Sequence, residues 1–375
     1  MRSEVIEDWS GFFSLEKEWN DLLSNARADT IFLTWEWMKS WVEVVGKSVI
    51  PFIISVRDNK GTLVGIAPFY LAEFRLSGLV PYHALRIMAD YATGLDYGDW
   101  IVREDCEVEV SHAIAKALLR YREHWDCIWI PNVAGWTGAR ERIFLTCKEQ
   151  GFLCHERPRD FSSFDLAEDM DTYMKILSRK RRSTLRRKMK EILGRDGVTV
   201  SRCRTPDELP RFLNGLFDLH YRHWRQRGEE GTFRRKPGQA VFYRIFTKTA
   251  LEKGWLRLFG LEEHGEFRAV QIGYVYKNVF NALQDGFDPD YIPGVGNALR
   301  YKVIEACIAE GIKAYDFLGE MTEHKRRWGA KKRMGFDFFM GHKSLKNRLL
   351  FSRDIWPTGR FLRPVDLPCA SNVSL

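Results

Sequence analysis

The residues with the most chemical promise fall between positions 285 and 325. At the centre is the loop Tyr291-Ile292-Pro293-Gly294-Val295-Gly296-Asn297-Ala298-Leu299-Arg300, with Asp285 and Asp288 before it and Asp316, Glu320, His324 and Lys325 after it. Glycines at 294 and 296 let backbone N–H groups face outward, and a helix following such a loop points the positive end of its dipole at the same spot. Pro293, Gly294, Val295, Gly296 and Asn297 are therefore expected to cradle phosphate. A dinucleotide fingerprint is the rival reading, because Asp316 falls where a ribose-binding acid would stand. Against it, Leu299 replaces the third glycine, the preceding strand ends near Gly286, and hairpins rather than a βαβ unit precede the loop. A structural turn without a ligand is the third reading. Further upstream, His220 and His223 lie three apart beside Trp224 on a predicted helix, so they share one face and are candidates for lining a substrate pocket. Two histidines without a third ligand do not make a metal site, and no metal is expected.

The elements that must position these residues form a pattern that occurs twice. In the first half, predicted strands 51–57, 62–72 and 84–88 are followed by a loop, helix 108–123, strand 127–131, helix 139–150 and strand 152–156. In the second, strands 255–262, 267–276 and 279–286 are followed by the glycine loop, helix 298–310, strand 314–318, a short helix near 323–328 and strand 336–340. Anchor residues keep step: Gly61 with Gly265, the segment 125–129 with 312–316, and Gly151-Phe152 with Gly335-Phe336. Helices over 170–193, 207–227 and 238–253, with a strand at 198–203, open the second half. The expected organisation is a first half over 1–165, a second over 166–345, and a C-terminal helix and extended tail over 346–375.

Several runs in the second half resemble one family. Gly286-Phe287-Asp288-Pro289, Pro293-Gly294, Tyr315-Asp316-Phe317-Leu318-Gly319 and His324-Lys325-Arg326-Arg327-Trp328-Gly329, with Leu219-His220-Tyr221-Arg222-His223-Trp224 and Ser178-Arg179-Lys180-Arg181 upstream, are similar to the CelD/BcsL-like acetyltransferases of the GNAT superfamily. The resemblance spans about residues 170–340, and that family is related to the Fem-type peptidyl transferases. It implies an α+β, tandem GNAT-like fold of two mixed sheets flanked by helices. It also implies acyl transfer from a thioester, acetyl-CoA or another acyl-CoA. The superfamily's Arg/Gln-x-x-Gly-x-Gly/Ala loop is matched here except that Tyr291 stands three before Gly294.

Direct acyl transfer to an amine or hydroxyl requires a base for the acceptor's proton, a donor for the developing oxyanion and an acid for the leaving thiolate. Asp288, Asp285 and Asp316 are candidates for the base, Lys325 for the acid, and a backbone N–H near Asp285 or Gly286 for the oxyanion. His220, His223, Trp224 and Glu320 are candidates for holding the acceptor, which an envelope or exopolysaccharide pathway would supply. Each also has a plain structural explanation: Asp288 before proline is a turn former. In the first half the corresponding loop, residues 92–99, carries Asp96 and Asp99, which would repel a pyrophosphate. That half is expected to bind the acceptor or act as a scaffold.

Composition narrows the alternatives. The net charge of +8 is concentrated between Arg179 and Lys190, where eight basic residues occur without an acid; the remaining Lys and Arg equal the 50 acids in number. The run is either a solvated helix face or a site for an anion, tRNA included, since Fem-type relatives take aminoacyl-tRNA; that donor is the second functional reading. A catalytically inactive binding module is the third. With 45% hydrophobic and 14% aromatic residues the chain can bury a core in each half. Seven cysteines without a CxxC pair, no secretory signal and no apolar run of membrane-spanning length give a cytoplasmic expectation.

Overall fold

The computed structural model of the chain describes residues 1–76, 79–90, 92–352 and 362–364. Along the chain run β1 (Arg2–Ile6), α1 (Trp9–Ser14), α2 (Glu16–Ser24), α3 (Trp35–Val45), β2 (Ile50–Arg57), β3 (Leu63–Leu76), β4 (Val80–Ile87), β5 (Ile101–Val102), α4 (Glu107–Arg120), β6 (Cys127–Ala134), α5 (Thr146–Glu149) and β7 (Leu153–Asp165). There follow α6 (Met170–Ile176), α7 (Arg179–Leu193), β8 (Val198–Arg202), α8 (Leu209–Gln226), α9 (Thr232–Arg235), α10 (Pro237–Glu252), β9 (Leu256–Glu263), β10 (Glu266–Tyr276), β11 (Val279–Phe287), α11 (Val295–Ala309), β12 (Ala314–Asp316), α12 (Glu323–Arg326), β13 (Lys331–Gly341), α13 (Leu345–Ser352) and β14 (Leu362–Pro364). Two compact units result, one of residues 1–159 and 334–375, the other of residues 160–333.

In the first unit the strands run β1-β2-β3-β4-β6-β13, antiparallel except for β4 with β6. In the second they run β7-β12-β11-β10-β9-β8, antiparallel except for β11 with β12. The repeated order is thus present, with one exchange at its ends. Residues 335–341 of β13, which close the pattern of the second half, pair with β6 in the first unit. Residues 163–165 of β7, which close the pattern of the first, pair with β12 in the second. In β13, Met334, Phe336, Phe338 and Met340 alternate along the strand, whereas β7 carries its buried aromatics, Phe161 and Phe164, only in its last five residues.

Local chemistry accounts for the breaks in the long predicted helices. Ser178 separates α6 from α7 by capping the latter, its hydroxyl accepting the Arg181 N–H at 3.3 Å. Thr34 does the same for α3 with the N–H of Trp37. The core of the second unit lies between α7, α11 and one face of the sheet, around Leu185, Leu299, Val303 and Tyr315. On the other face α8 packs against β11, close enough that a Cβ on Gly286 would come within 2.7 Å of the His220 nitrogen and 2.9 Å of the Leu216 oxygen. Of the expected C-terminal helix and tail, residues 345–352 form α13 and 362–364 pair with β3; the rest of the expected extended tail lies outside the described residues.

Candidate active site

Two features of the second sheet open a site on β11. The parallel pairing with β12 covers only Val279–Asn281 of β11, so residues 282–287 run on without a neighbour on that side. On the other side, Ile272 pairs with Gln284 and the next residue, Gly273, with Ala282, leaving Leu283 as a bulge without a partner across β10. Gly273 permits this because a Cβ there would meet Phe280 at 2.4 Å and the Asn281 oxygen at 2.5 Å. The gap beside β11 is a cavity of about 780 Å³, lined among others by Leu283, Gln284, Asp285, Phe287 and Phe317.

One end of the cavity is the N-terminus of α11. Helix α11 begins at Val295, three residues earlier than the sequence pattern suggests, with Gly294 as its N-cap at φ +104°, a left-handed conformation that an L side chain would strain. No side chain caps the helix, and its first turn contains no acid. The first N–H groups of a helix have no intrahelical acceptor, so this end has donors and a positive dipole to offer. All five expected phosphate-cradle residues, 293–297, line the cavity. The aliphatic part of Lys188 on α7 passes near Gly294, its Cδ 3.6 Å from where a Cβ would stand, and Arg227 lines the opening from the end of α8.

Further along α11, the guanidinium of Arg300 is buried and forms an ion pair with Asp285 on β11. Burial works against its charge, but Asp285 and then the Tyr315 hydroxyl outweigh that, and its pKa is raised. The Arg300 ring partners are Phe317 at 5.5 Å and Trp328 at 5.9 Å. Tyr315 accepts a hydrogen bond from Gln271 Nε2 at 2.6 Å, and burial pushes its phenol up to about 12, so it remains neutral. His324 Nε2 lies 3.2 Å from both Arg300 Nη1 and Asn297 Oδ1. Partial burial, and then the facing guanidinium, hold its pKa down, and a neutral Nε2 satisfies one of those partners at a time.

The expected site residues separate into two groups. Asp285, Asp288, His223 and Lys325 line the cavity with residues 293–297. Asp288, however, is clamped: it receives Arg222 Nη2 at 2.7 Å, Arg268 Nη1 at 3.2 Å and the Asp290 N–H at 3.1 Å. His223 packs on Phe287 at 4.2 Å, and Lys325 Nζ donates to the Leu318 and Phe317 oxygens at 2.7 and 3.3 Å. Asp316, His220, Trp224 and Glu320 are not among the lining residues. Buried Asp316 accepts the Leu318 N–H at 2.8 Å, supporting a turn in which Leu318 has φ +54°. His220 sits behind β11, accepting Trp224 Nε1 at 3.1 Å, and its burial lowers the pKa to about 4. Glu320 is exposed. Sequence reasoning does not mark Arg300 and Arg227 as site residues; the signal for Arg300 is that it falls on the same helical face as Leu299, Val303 and Ile304, where burial forces a cation to find an anion.

Comparison with known families now bears on this geometry. The family described as acetyltransferase (GNAT) domain matches residues 179–326. The second unit carries a GNAT acyltransferase domain. Solved structures extend the likeness to the whole chain. FemX is 14% identical with a TM-score of 0.60, covering 93% of this chain and 99% of its own. The C-terminal domain of a putative lysylphosphatidylglycerol synthetase from Agrobacterium fabrum is 10% identical with a TM-score of 0.51, covering 92% and 99%. A tandem GNAT protein from the clavulanic acid biosynthesis pathway is 11% identical with a TM-score of 0.50, covering 91% and 98%. At such identities these likenesses are of fold, and they give the chain the tandem GNAT-like architecture. A search of the curated proteins finds no match. Among the described residues no helix is long and apolar enough to cross a membrane.

Proposed function

We propose that the GNAT domain transfers an acyl group, acetyl in the simplest case, from coenzyme A to an amine or hydroxyl by direct attack, as its resemblance to the CelD/BcsL-like enzymes implies. The supporting observation is the meeting, in one cavity, of the open stretch of β11 with an uncapped, acid-free helix N-terminus. Residues 294–297 would take the donor's pyrophosphate through backbone N–H groups, with Arg227 as a counter-charge at the opening. The unpartnered backbone at the Leu283 bulge would donate to the thioester oxygen as it becomes an oxyanion. Asp285, held in place by Arg300, would take the acceptor's proton as the nucleophile bonds to the carbonyl carbon. The C–S bond then breaks, and the thiolate takes a proton from Lys325. Asp285 suits the base role better than Asp288, whose oxygens already face two guanidinium groups.

A second reading, an aminoacyl-tRNA donor, draws on the exposed cations Arg179, Lys180, Arg186, Arg187 and Lys190 of α7. The test is thiol release from acetyl-CoA with a panel of primary amines and alcohols, including amino sugars. Turnover with at least one acceptor is expected. No release with any of them, together with tRNA binding that falls steeply with salt, would favour the second reading.

A further inference from the structure

Beyond the donor loop, a cluster of hydrogen-bond donors surrounds a single indole. Trp328 is fully buried, with the guanidinium of Arg181 4.6 Å from its ring centre and that of Arg300 5.9 Å away. Among the described residues, four enclosed nitrogens here have no acceptor: Arg181 Nε and Nη2, Arg300 Nε and Trp328 Nε1. An enclosed donor without an acceptor costs about 1–3 kcal/mol, more when it is charged, so several around one ring call for an explanation. Charge deepens the problem. Arg181 has its pKa lowered, by burial first and then, against an upward pull from Tyr173, by Arg327 and Arg300, both cations. Asp285 is committed to Arg300, and Glu323 to Arg326 and Arg327. Arg182, next in sequence, is used differently: it caps the end of α6, donating to the Met174, Lys175 and Leu177 oxygens.

We propose that this cluster is a subsite for an anionic group, a carboxylate or phosphate, carried by the acceptor close to its nucleophile. This rests on the donor site proposed above. Position assigns the anion to the acceptor: Arg300 lies five residues into α11, about 8 Å along the axis from the N-terminal N–H groups that suit the donor's phosphates. Arg300 also bridges the two functions, pairing with Asp285 on the cavity side while its Nε belongs to the unsatisfied cluster. Arg300 is the member of the cluster that lines the cavity, and an anion would reach the enclosed nitrogens from that side. The acceptor class that fits is a small amine or alcohol with a negative charge a few bonds from the attacking atom, such as an amino acid or a phosphorylated amino alcohol.

The experiment is isothermal titration of the full chain with inorganic phosphate and, separately, acetate at low ionic strength. It compares wild type with Arg181→Met, Arg187→Met and Gly294→Ala; methionine preserves much of the packing on Trp328, and Arg187 is an exposed cation of the same helix. Acetate binding is expected to weaken roughly tenfold in Arg181→Met and to stay within about twofold in the other two, while phosphate, which the donor loop also suits, is expected to weaken in both Arg181→Met and Gly294→Ala. An equal loss in Arg187→Met would reduce the effect to diffuse charge. A loss confined to Gly294→Ala would place the ion at the donor loop, and no binding by wild type would remove the subsite; each result overturns the proposal. Should circular dichroism show Arg181→Met unfolded, Arg181→Lys, which keeps the charge without the planar fork, must weaken binding, and unchanged affinity would overturn it. The preference between the two ions separates a phosphate from a carboxylate acceptor. Acetyl-CoA titrated in parallel keeps the two readings apart: Arg181-dependent anion binding without acetyl-CoA binding would sink the donor assignment alone.

Discussion

The loop after the third long strand of each half occupies the same place in the repeat, yet its chemistry is opposite. In the second half β11 runs six residues beyond its pairing with β12, to Phe287, and α11 then begins uncapped and free of acid. In the first half β4 runs only to Ile87, one residue past its pairing with β6 at Arg86. The chain then turns back through Ala89, Ala92 and Tyr97, all at positive φ and all buried. The helix that follows, α4, has Glu107 and Glu109 in its first turn, and Glu107 is paired with Arg142 and Arg27. Where the second half has a cavity, the first has Asp99 and Arg142, each 2% exposed and paired at 2.6 Å, with Thr137 donating to the same carboxylate. One repeat has thus placed its own carboxylates at its helix end, and the other has left the start of its helix without a side-chain cap or an acid. Divergence between two copies of a fold is here a matter of a few residues around a helix terminus.

That contrast can be broken by mutation, and the largest effect is expected in turnover. Asp285→Asn should lower kcat by about 10²–10⁴-fold with little change in donor affinity, measured by thiol release. Asp99→Asn, at the corresponding region of the first half, should leave kcat per folded molecule unchanged. Next comes the stability of the filled loop: Arg142→Met strands a buried carboxylate whose pKa burial already raises, and should cost about 3–5 kcal/mol in urea unfolding without altering acetyl-CoA affinity. A slightly smaller effect is expected from pH. His220, the one buried histidine among the described residues, has a pKa of about 4 against an ordinary 6.5, so the unfolded chain binds a proton that the folded one refuses. Its contribution is complete above about pH 6.5 and lost as pH falls towards 4, up to about 3 kcal/mol; His220→Phe should flatten that slope in urea titrations across the window. The smallest effect is expected from Glu109→Gln in α4, a few tenths of a kcal/mol through the helix dipole and no change in donor binding.

Much of this was legible in the sequence because the informative features are local. Glycine turns at Gly61 and Gly265, the alternation of apolar residues and the ordered repeat located most strands to within a few residues, and residues 293–297 were recognisable as a loop entering a helix. What remained hidden depends on long-range pairing. The exchange of β7 and β13 between units leaves no local trace, since it is set by pairing with β12 and β6, each well over a hundred residues away along the chain. The start of α11 at Val295 was obscured by Gly296, a poor helix former within the first turn. Asp288 had the right residue type and position for a base, but only the approach of Arg222 and Arg268, sixty-six and twenty residues away, shows what holds it. The Arg300–Asp285 pair likewise joins a helix to a strand across the loop and could not be read from spacing alone.

The central claim is that the open helix end of the second half holds the donor, and direct titration tests it. Acetyl-CoA should bind the full chain saturably with a 1:1 stoichiometry, and Gly294→Val, which puts a branched side chain at φ +104° in the phosphate cradle, should weaken it at least about tenfold, or 1.4 kcal/mol, with the fold intact by circular dichroism. Wild-type affinity in the folded variant, or no acetyl-CoA binding by the wild type, would contradict it.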